Sequence, residues 1–219
     1  MSSKSFLNSR FAIVDTTVCK LVLDLLVGNL VIAVKLTRKL LLWLVAVVFI
    51  VTLTGCQTLF GSAKYPVKRV SDGDTLTVVD PKGSDIHVRF ACVDAPEIPH
   101  SAKERQSRKL KDRNQFRWGI EAQERLQQLI HQGGDRVNLT ITDSDRYGRQ
   151  VAEVYLRDRT LVQEVLAREG LVLVFEPYLK NCPDAATVQQ AQALAQQQQR
   201  GVWSDPKFVP PWKYRSAKK

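Results

Sequence analysis

Residues 67–79 read Val67-Lys68-Arg69-Val70-Ser71-Asp72-Gly73-Asp74-Thr75-Leu76-Thr77-Val78-Val79. Two short runs rich in β-branched residues flank a Ser-Asp-Gly-Asp turn, which is the pattern of paired antiparallel strands. A second turn signal, Pro81-Lys82-Gly83, leads into a third run, Ile86 to Val93. The three runs predict a meander. Working outward, Arg136 to Thr142 alternates Val137, Leu139 and Ile141, and Gln150 to Leu156 carries Val151, Val154 and Leu156. Both read as strands.

Helical spacing separates these strands. Trp118, Ala122, Leu126, Leu129 and Ile130 form one apolar stripe, and Gly133-Gly134 ends it. Thr160 with Gln163 reads as a capping box for a helix carrying Leu161, Val162, Val165 and Leu166, closed by Gly170. Leu171 to Phe175 reads as a short apolar strand. Asp184 is placed to cap a last helix with Val188, Ala191, Leu194 and Ala195 on one face, and Gly201-Val202-Trp203 leaves it. The expected fold class is α+β: a five-stranded OB-type Greek-key β-barrel with three packed helices, plus an N-terminal apolar signal or anchor segment.

The 219 residues carry a formal charge of +10, and residues 56–219 hold 26 basic and 20 acidic side chains. A basic body favours polyanions such as nucleic acid or anionic lipid, without choosing between them. Residues 98–117 concentrate the excess: Lys103, Arg105, Arg108, Lys109, Lys111, Arg113 and Arg117 face only Glu104 and Asp112. Alone this is a solvated charge run; beside a phosphate site it becomes a nucleic-acid contact.

Three fragments carry chemistry. Asp72-Gly73-Asp74-Thr75 comes first, Arg89-Phe90-Ala91-Cys92-Val93-Asp94-Ala95-Pro96-Glu97 second, and Asp145-Arg146-Tyr147-Gly148-Arg149 third. Asp74 and Asp94 offer the hard oxygens that calcium prefers. Glu97 can orient or deprotonate a water within hydrogen-bond reach. Arg89 and Arg149 offer permanently charged forks for phosphate oxygens. The Asp-Gly-Asp turn alone is also ordinary hairpin chemistry, and Arg89 could equally be a structural partner of one of the aspartates.

Residues 65–205 resemble the staphylococcal nuclease (thermonuclease) family. The motifs that carry the resemblance are Asp-Gly-Asp-Thr at 72–75, Arg-x4-Asp-x-Pro-Glu at 89–97, Asp-x-Tyr-Gly-Arg at 145–149 and Gly-Val-Trp-Ser at 201–204. The resemblance implies a calcium ion held by Asp74, Asp94 and the backbone carbonyl of Ala95. Many family members have Thr at that position, but a backbone ligand tolerates the change. It implies Glu97 as the general base, Arg89 and Arg149 as active-site arginines, and Tyr147 and Tyr178 as substrate-binding rings. Where the staphylococcal enzyme has a second pocket tyrosine this chain has Glu176, which puts base stacking in question but not the chemistry.

The N-terminal region reads separately. Lys35, Arg38 and Lys39 precede an apolar run from Leu40 to Val51, the plan of an export signal. Leu53-Thr54-Gly55-Cys56 resembles the bacterial lipoprotein box, which implies cleavage before Cys56 and lipidation of its thiol. Gln57 then favours the outer membrane. The competing reading is an uncleaved, slightly short membrane anchor. Residues 1–34 make the signal unusually long, which fits either a start nearer Val34 or Leu36 or a second membrane-associated segment. Cys92 and Cys182 could pair in an oxidising compartment or stay as two separate thiols.

The expected organisation is a signal or anchor over 1–55, a linker over 56–64, the nuclease-like domain over 65–205 and a basic, Pro-rich tail over 206–219. The resemblance implies an exported, calcium-dependent nuclease acting on DNA and RNA and leaving 3′-phosphate ends. It is expected as a monomer, held to a membrane by a lipid anchor or an N-terminal helix, or else secreted. The alternatives are a non-catalytic nucleic-acid-binding module of the OB type and a lipoprotein that docks on anionic envelope polymer.

Overall fold

The chain separates into two compact units between Leu59 and Phe60. The computed structural model describes residues 63–180 and 182–218, with Trp43 alone before them. Apart from Trp43, the apolar run Leu40 to Val51 lies outside the described residues, as do Cys56 and the linker up to residue 62. Among the described residues no helix is long and apolar enough to cross a membrane.

The chain opens with β1 (Tyr65–Val70), β2 (Thr75–Val79) and β3 (Asp85–Phe90). They form the expected antiparallel meander, with Thr75 opposite Arg89 and Val78 opposite Ile86. Leu76 and Val78 on β2 and Val88 and Phe90 on β3 are fully buried, so the alternating apolar side chains fill the barrel interior.

The third run does not continue to Val93 as one strand. It breaks at Ala91-Cys92 and resumes as β4 (Val93–Asp94). Cys92 sits in the left-handed region at φ 72°, a conformation that costs a non-glycine residue of order 1–3 kcal/mol. Two contacts hold it there. Its carbonyl accepts from Phe175 N–H at 2.9 Å, and its sulfur is joined to Cys182 across a Cα separation of 5.5 Å. The bridge closes a 90-residue separation, a cross-link expected to stabilise the fold by about 2–5 kcal/mol.

Helices α1 (Ala102–Arg105) and α2 (Leu110–Gln132) follow. The basic run is therefore mostly helical: α2 starts eight residues before Trp118 and buries Phe116, Trp118, Ala122, Leu126, Leu129 and Ile130 on one face. Strands β5 (Arg136–Ser144) and β6 (Gln150–Tyr155) then complete the barrel. The closed order is β1-β2-β3-β6-β5. Only β3 and β6 run parallel, from Val88 opposite Gln150 to Phe90 opposite Ala152.

Helix α3 (Val162–Arg168) corrects the expected capping box. Its N-cap is Leu161, with no side-chain cap bond, and Gln163 is fully buried. The Gln163 amide accepts from Val154 N–H at 3.1 Å and donates to the Ala152 carbonyl at 3.0 Å. The reason is that β3 stops pairing at Ala152. Beyond that point β6 has buried polar backbone that needs a partner, and that need outweighs a cap.

Next come β7 (Leu173–Val174), which pairs with β4 in its own two-stranded sheet, and α4 (Glu176–Leu179). The strand read over Leu171 to Phe175 is thus two residues long. Helix α5 (Ala185–Gln197) buries Val188, Ala191 and Ala195. Asp184 is its N-cap but makes no side-chain cap bond; its carboxylate accepts from Tyr155 Oη at 2.6 Å instead. After a 3-10 turn (Gly201–Ser204), the segment read as a tail forms α6 (Pro211–Ser216). Tyr214 in α6 is 1% exposed, donates to Asp112 Oδ1 at 3.0 Å and meets Phe116 edge-on. The barrel and helices match the α+β class expected; α1, α4 and α6 are short additions to the three helices read from the sequence.

Candidate active site

The β1–β2 turn supplies the first carboxylates. Asp72 Oδ1 accepts from Asp74 N–H at 3.0 Å, an Asx turn that fixes the loop. Asp74 Oδ2 accepts from Ala95 N–H at 2.5 Å, so the first motif is tied directly to the second. Gly73 allows this approach. A Cβ there would lie 2.6 Å from the Cβ of Ala122 and 2.9 Å from that of Ala95, closer than side-chain carbons pack.

Arg89 leaves the end of β3 and points between two aspartates. Its Nη1 pairs with Asp74 Oδ1, and its Nη2 bonds Asp94 Oδ1 at 2.6 Å. Arg89 is 8% exposed, Asp74 5% and Asp94 1%. Burial pushes the Arg89 guanidinium below its ordinary range, and Asp94 opposes that shift. Burial also pushes the Asp72 carboxyl up, against the lowering pull of Arg89. Arg89 is thus a structural partner of both aspartates.

Glu97 lies three residues past Asp94, after the buried Pro96. Its backbone is held by α2. The buried Gln115 amide satisfies both neighbours in one orientation: its oxygen accepts from Glu97 N–H at 3.0 Å and its NH2 donates to the Val209 carbonyl at 3.0 Å. Gly119 on α2 lies against the same loop, and a Cβ there would come 2.7 Å from the Pro96 carbonyl oxygen and meet the Glu97 carbonyl. Gly119→Ala is therefore expected to shift the Glu97 loop. The expected costs are about 1–3 kcal/mol of stability from overpacking and about 100-fold in turnover from misplacement. Thermal melts and steady-state kinetics check both.

The β5–β6 turn supplies the second arginine. Asp145 Oδ1 accepts from Tyr147 N–H at 2.9 Å and Arg149 N–H at 3.0 Å, while Oδ2 accepts from Arg149 Nε at 2.7 Å. Burial raises the Asp145 carboxyl, but these bonds outweigh it and hold the group below its ordinary range. It stays ionised and orients the Arg149 fork. Tyr147 is 70% exposed, with the guanidinium of Arg149 5.7 Å from its ring centre.

One cleft of about 520 Å³ collects these groups: Asp74, Arg89, Asp94, Ala95, Glu97, Tyr147, Arg149 and Tyr178 all line it, and Asp72 joins them. Glu176 is exposed and is not in its wall. The exposed basic residues of α1 and α2 do not line it either. Asp74 and Asp94 bring to this cleft the hard carboxylate oxygens that a divalent cation takes.

Sequence reasoning missed a second contribution to the cleft. Phe175, Trp212, Arg215 and Ser216 line it too. Phe175 lies 4.9 Å from Tyr178 and 5.3 Å from Trp212, ring centre to ring centre, an apolar wall that Glu176 does not provide. Arg215 Nη1 bonds Glu97 Oε1 at 2.7 Å, and its Nη2 bonds Asp94 Oδ2 at 2.7 Å. The only local signal was Pro210-Pro211, since proline suits the first turn of a helix; nothing local said where that helix docks.

A buried arginine bridging two aspartates, a nearby glutamate and a second oriented arginine, set on a closed five-stranded barrel, define a nuclease-type phosphodiester hydrolase. The chain belongs to the staphylococcal nuclease homologue family, whose pattern it matches over residues 87–205. It is 34% identical over 152 residues to a protein of Escherichia coli O157:H7 named as an uncharacterized endonuclease, covering 69% of this chain and 84% of that one. It is 30% identical over 161 residues to the micrococcal nuclease of Shigella flexneri, covering 70% and 80%. It is 31% identical over 141 residues to the thermonuclease of Staphylococcus hyicus, covering 64% and 76%.

Proposed function

We propose that this chain is a calcium-dependent nuclease that hydrolyses phosphodiester bonds of DNA and RNA, working outside the cytoplasm and leaving 3′-phosphate ends. The observation that carries the reading is the single cleft in which Arg89 bridges Asp74 and Asp94 while Glu97 and Arg149 share the same wall. Asp74, Asp94 and the Ala95 carbonyl would hold the cation. When bound it would supply Lewis-acid stabilisation to a phosphate oxygen.

The chain's own residues account for the rest. Glu97 positions a water and takes its proton as the water oxygen bonds phosphorus. The 5′ P–O bond breaks, and the departing oxygen takes a proton from solvent. Arg89 and Arg149 hold the phosphate oxygens and offset the charge that builds on them. Tyr147 and Tyr178 flank the substrate. The charged groups of the wall suit phosphate rather than base edges, so weak base selectivity is expected.

Export is supported by the basic and apolar N-terminal sequence and by Leu53-Thr54-Gly55-Cys56. The Cys92–Cys182 bridge fits an oxidising compartment. On this reading residues 1–55 are signal or anchor, and Cys56 carries the lipid.

Plasmid degradation with calcium, and with EDTA as control, tests the activity. Cleavage only with calcium is expected, and product ends should resist polymerase extension until treated with a phosphatase. No cleavage with salt-sensitive DNA retention would favour the binding module. Neither cleavage nor retention would favour envelope docking.

A further inference from the structure

Helix α6 brings a third arginine to the carboxylates, and its attachment has two distinct parts. The helix is fixed: Tyr214 is buried on Asp112, and Lys218 pairs with Glu104 at 2.7 Å. The Arg215 head is open to solvent, its side chain 45% exposed against 9% for Arg89. That head takes Asp94 through both oxygens, Nη1 to Oδ1 at 3.2 Å and Nη2 to Oδ2 at 2.7 Å, and also takes Glu97. Arg89 takes Asp94 as well.

Asp94 Oδ1 thus takes both arginines and Oδ2 takes Arg215, so a divalent cation on these oxygens would lie against the Arg215 guanidinium. A guanidinium and a dication cannot share the same two oxygens at short range without strong repulsion. The half-exposed arginine is the one that can leave, since Arg89 is enclosed in the barrel wall. Anchored by α6, it remains at the edge of the cleft. The anion that enters there is the substrate phosphate, for which a guanidinium fork is well matched.

We propose that Arg215 is the resident cation of the Asp94–Glu97 pair, that a divalent cation displaces it, and that the displaced guanidinium becomes a third phosphate-binding arginine. The proposal rests on the calcium-dependent reading above. It makes the C-terminal helix a working wall of the site: Asp94 and Glu97 stay neutralised until the cation arrives, and the substrate then receives the released charge.

Calorimetric titration of calcium alone into the full chain, wild type and Arg215→Gln, tests the first half. Removing the competitor is expected to tighten calcium binding about tenfold, or about 1.4 kcal/mol. Binding of a phosphorothioate oligodeoxynucleotide in calcium, followed by fluorescence anisotropy, tests the second half; it is expected to weaken about tenfold. A merely structural role would weaken both, so the opposed signs are diagnostic. Arg215→Lys, which keeps the charge and most of the volume, is expected to lie between. Calcium affinity unchanged or weaker in Arg215→Gln, with wild type binding normally, overturns the proposal alone. No calcium binding by either protein overturns the calcium reading and the proposal together. Tighter calcium with unchanged oligonucleotide binding overturns the phosphate role.

Discussion

Arg149→Ala is expected to lower kcat by about 1,000-fold or more, the scale on which an arginine serves phosphoryl-group chemistry, while leaving the fold intact. The Arg149 side chain is 32% exposed and spends its Nε on Asp145, so its terminal nitrogens remain to meet the substrate in the cleft. Nothing in the barrel core depends on it. The melting temperature should therefore move little, as for most changes away from a packed interior. Arg149→Lys should rescue poorly, because a point charge on a flexible stem replaces neither the planar fork nor the Nε bond to Asp145. Single-turnover cleavage and a thermal melt check both parts. Near-normal turnover in the alanine variant would remove Arg149 from the active site.

Glu97→Gln is expected to lower the single-turnover rate by about 100- to 10,000-fold, the range for losing a general base. The amide fills the same space and can still accept from Arg215. Its loop stays fixed through Gln115 and the packing of Gly119. Oligonucleotide affinity should thus remain within a few-fold, separating chemistry from binding. A rate within tenfold of wild type would show that another group takes the proton.

Much of this was legible in the sequence because its signals are local. Period-two alternation around Leu76 and Val78 specified which face of β2 turns inward. Turn chemistry at Asp72-Gly73-Asp74 and Pro81-Lys82-Gly83 set the meander. The three motifs also named the residues that the structure gathers into one cleft. The failures had a common cause in long-range demand. Gln163 looked like a cap residue, but the buried backbone at Ala152 and Val154 claimed its amide. Asp184 was drawn to Tyr155 in the same way. The run from Ile86 to Val93 looked like one strand, but the Cys182 bridge and the Phe175 N–H hold Cys92 in a left-handed kink that starts a second, two-residue strand.

The sequence by itself determined the barrel strands and the α2 stripe, because side-chain periodicity and turn propensity act over a few residues, and its motifs singled out Asp74, Arg89, Asp94, Glu97 and Arg149 as the candidates that line one cleft. Only the tertiary structure decided the Cys92–Cys182 pairing, the aromatic wall of Phe175, Tyr178 and Trp212, and the place of Arg215. Arg215 is 118 residues from Glu97 along the chain and 2.7 Å from it in space. Its docking comes from burying Tyr214 against Phe116 and Asp112, a contact that no local pattern encodes.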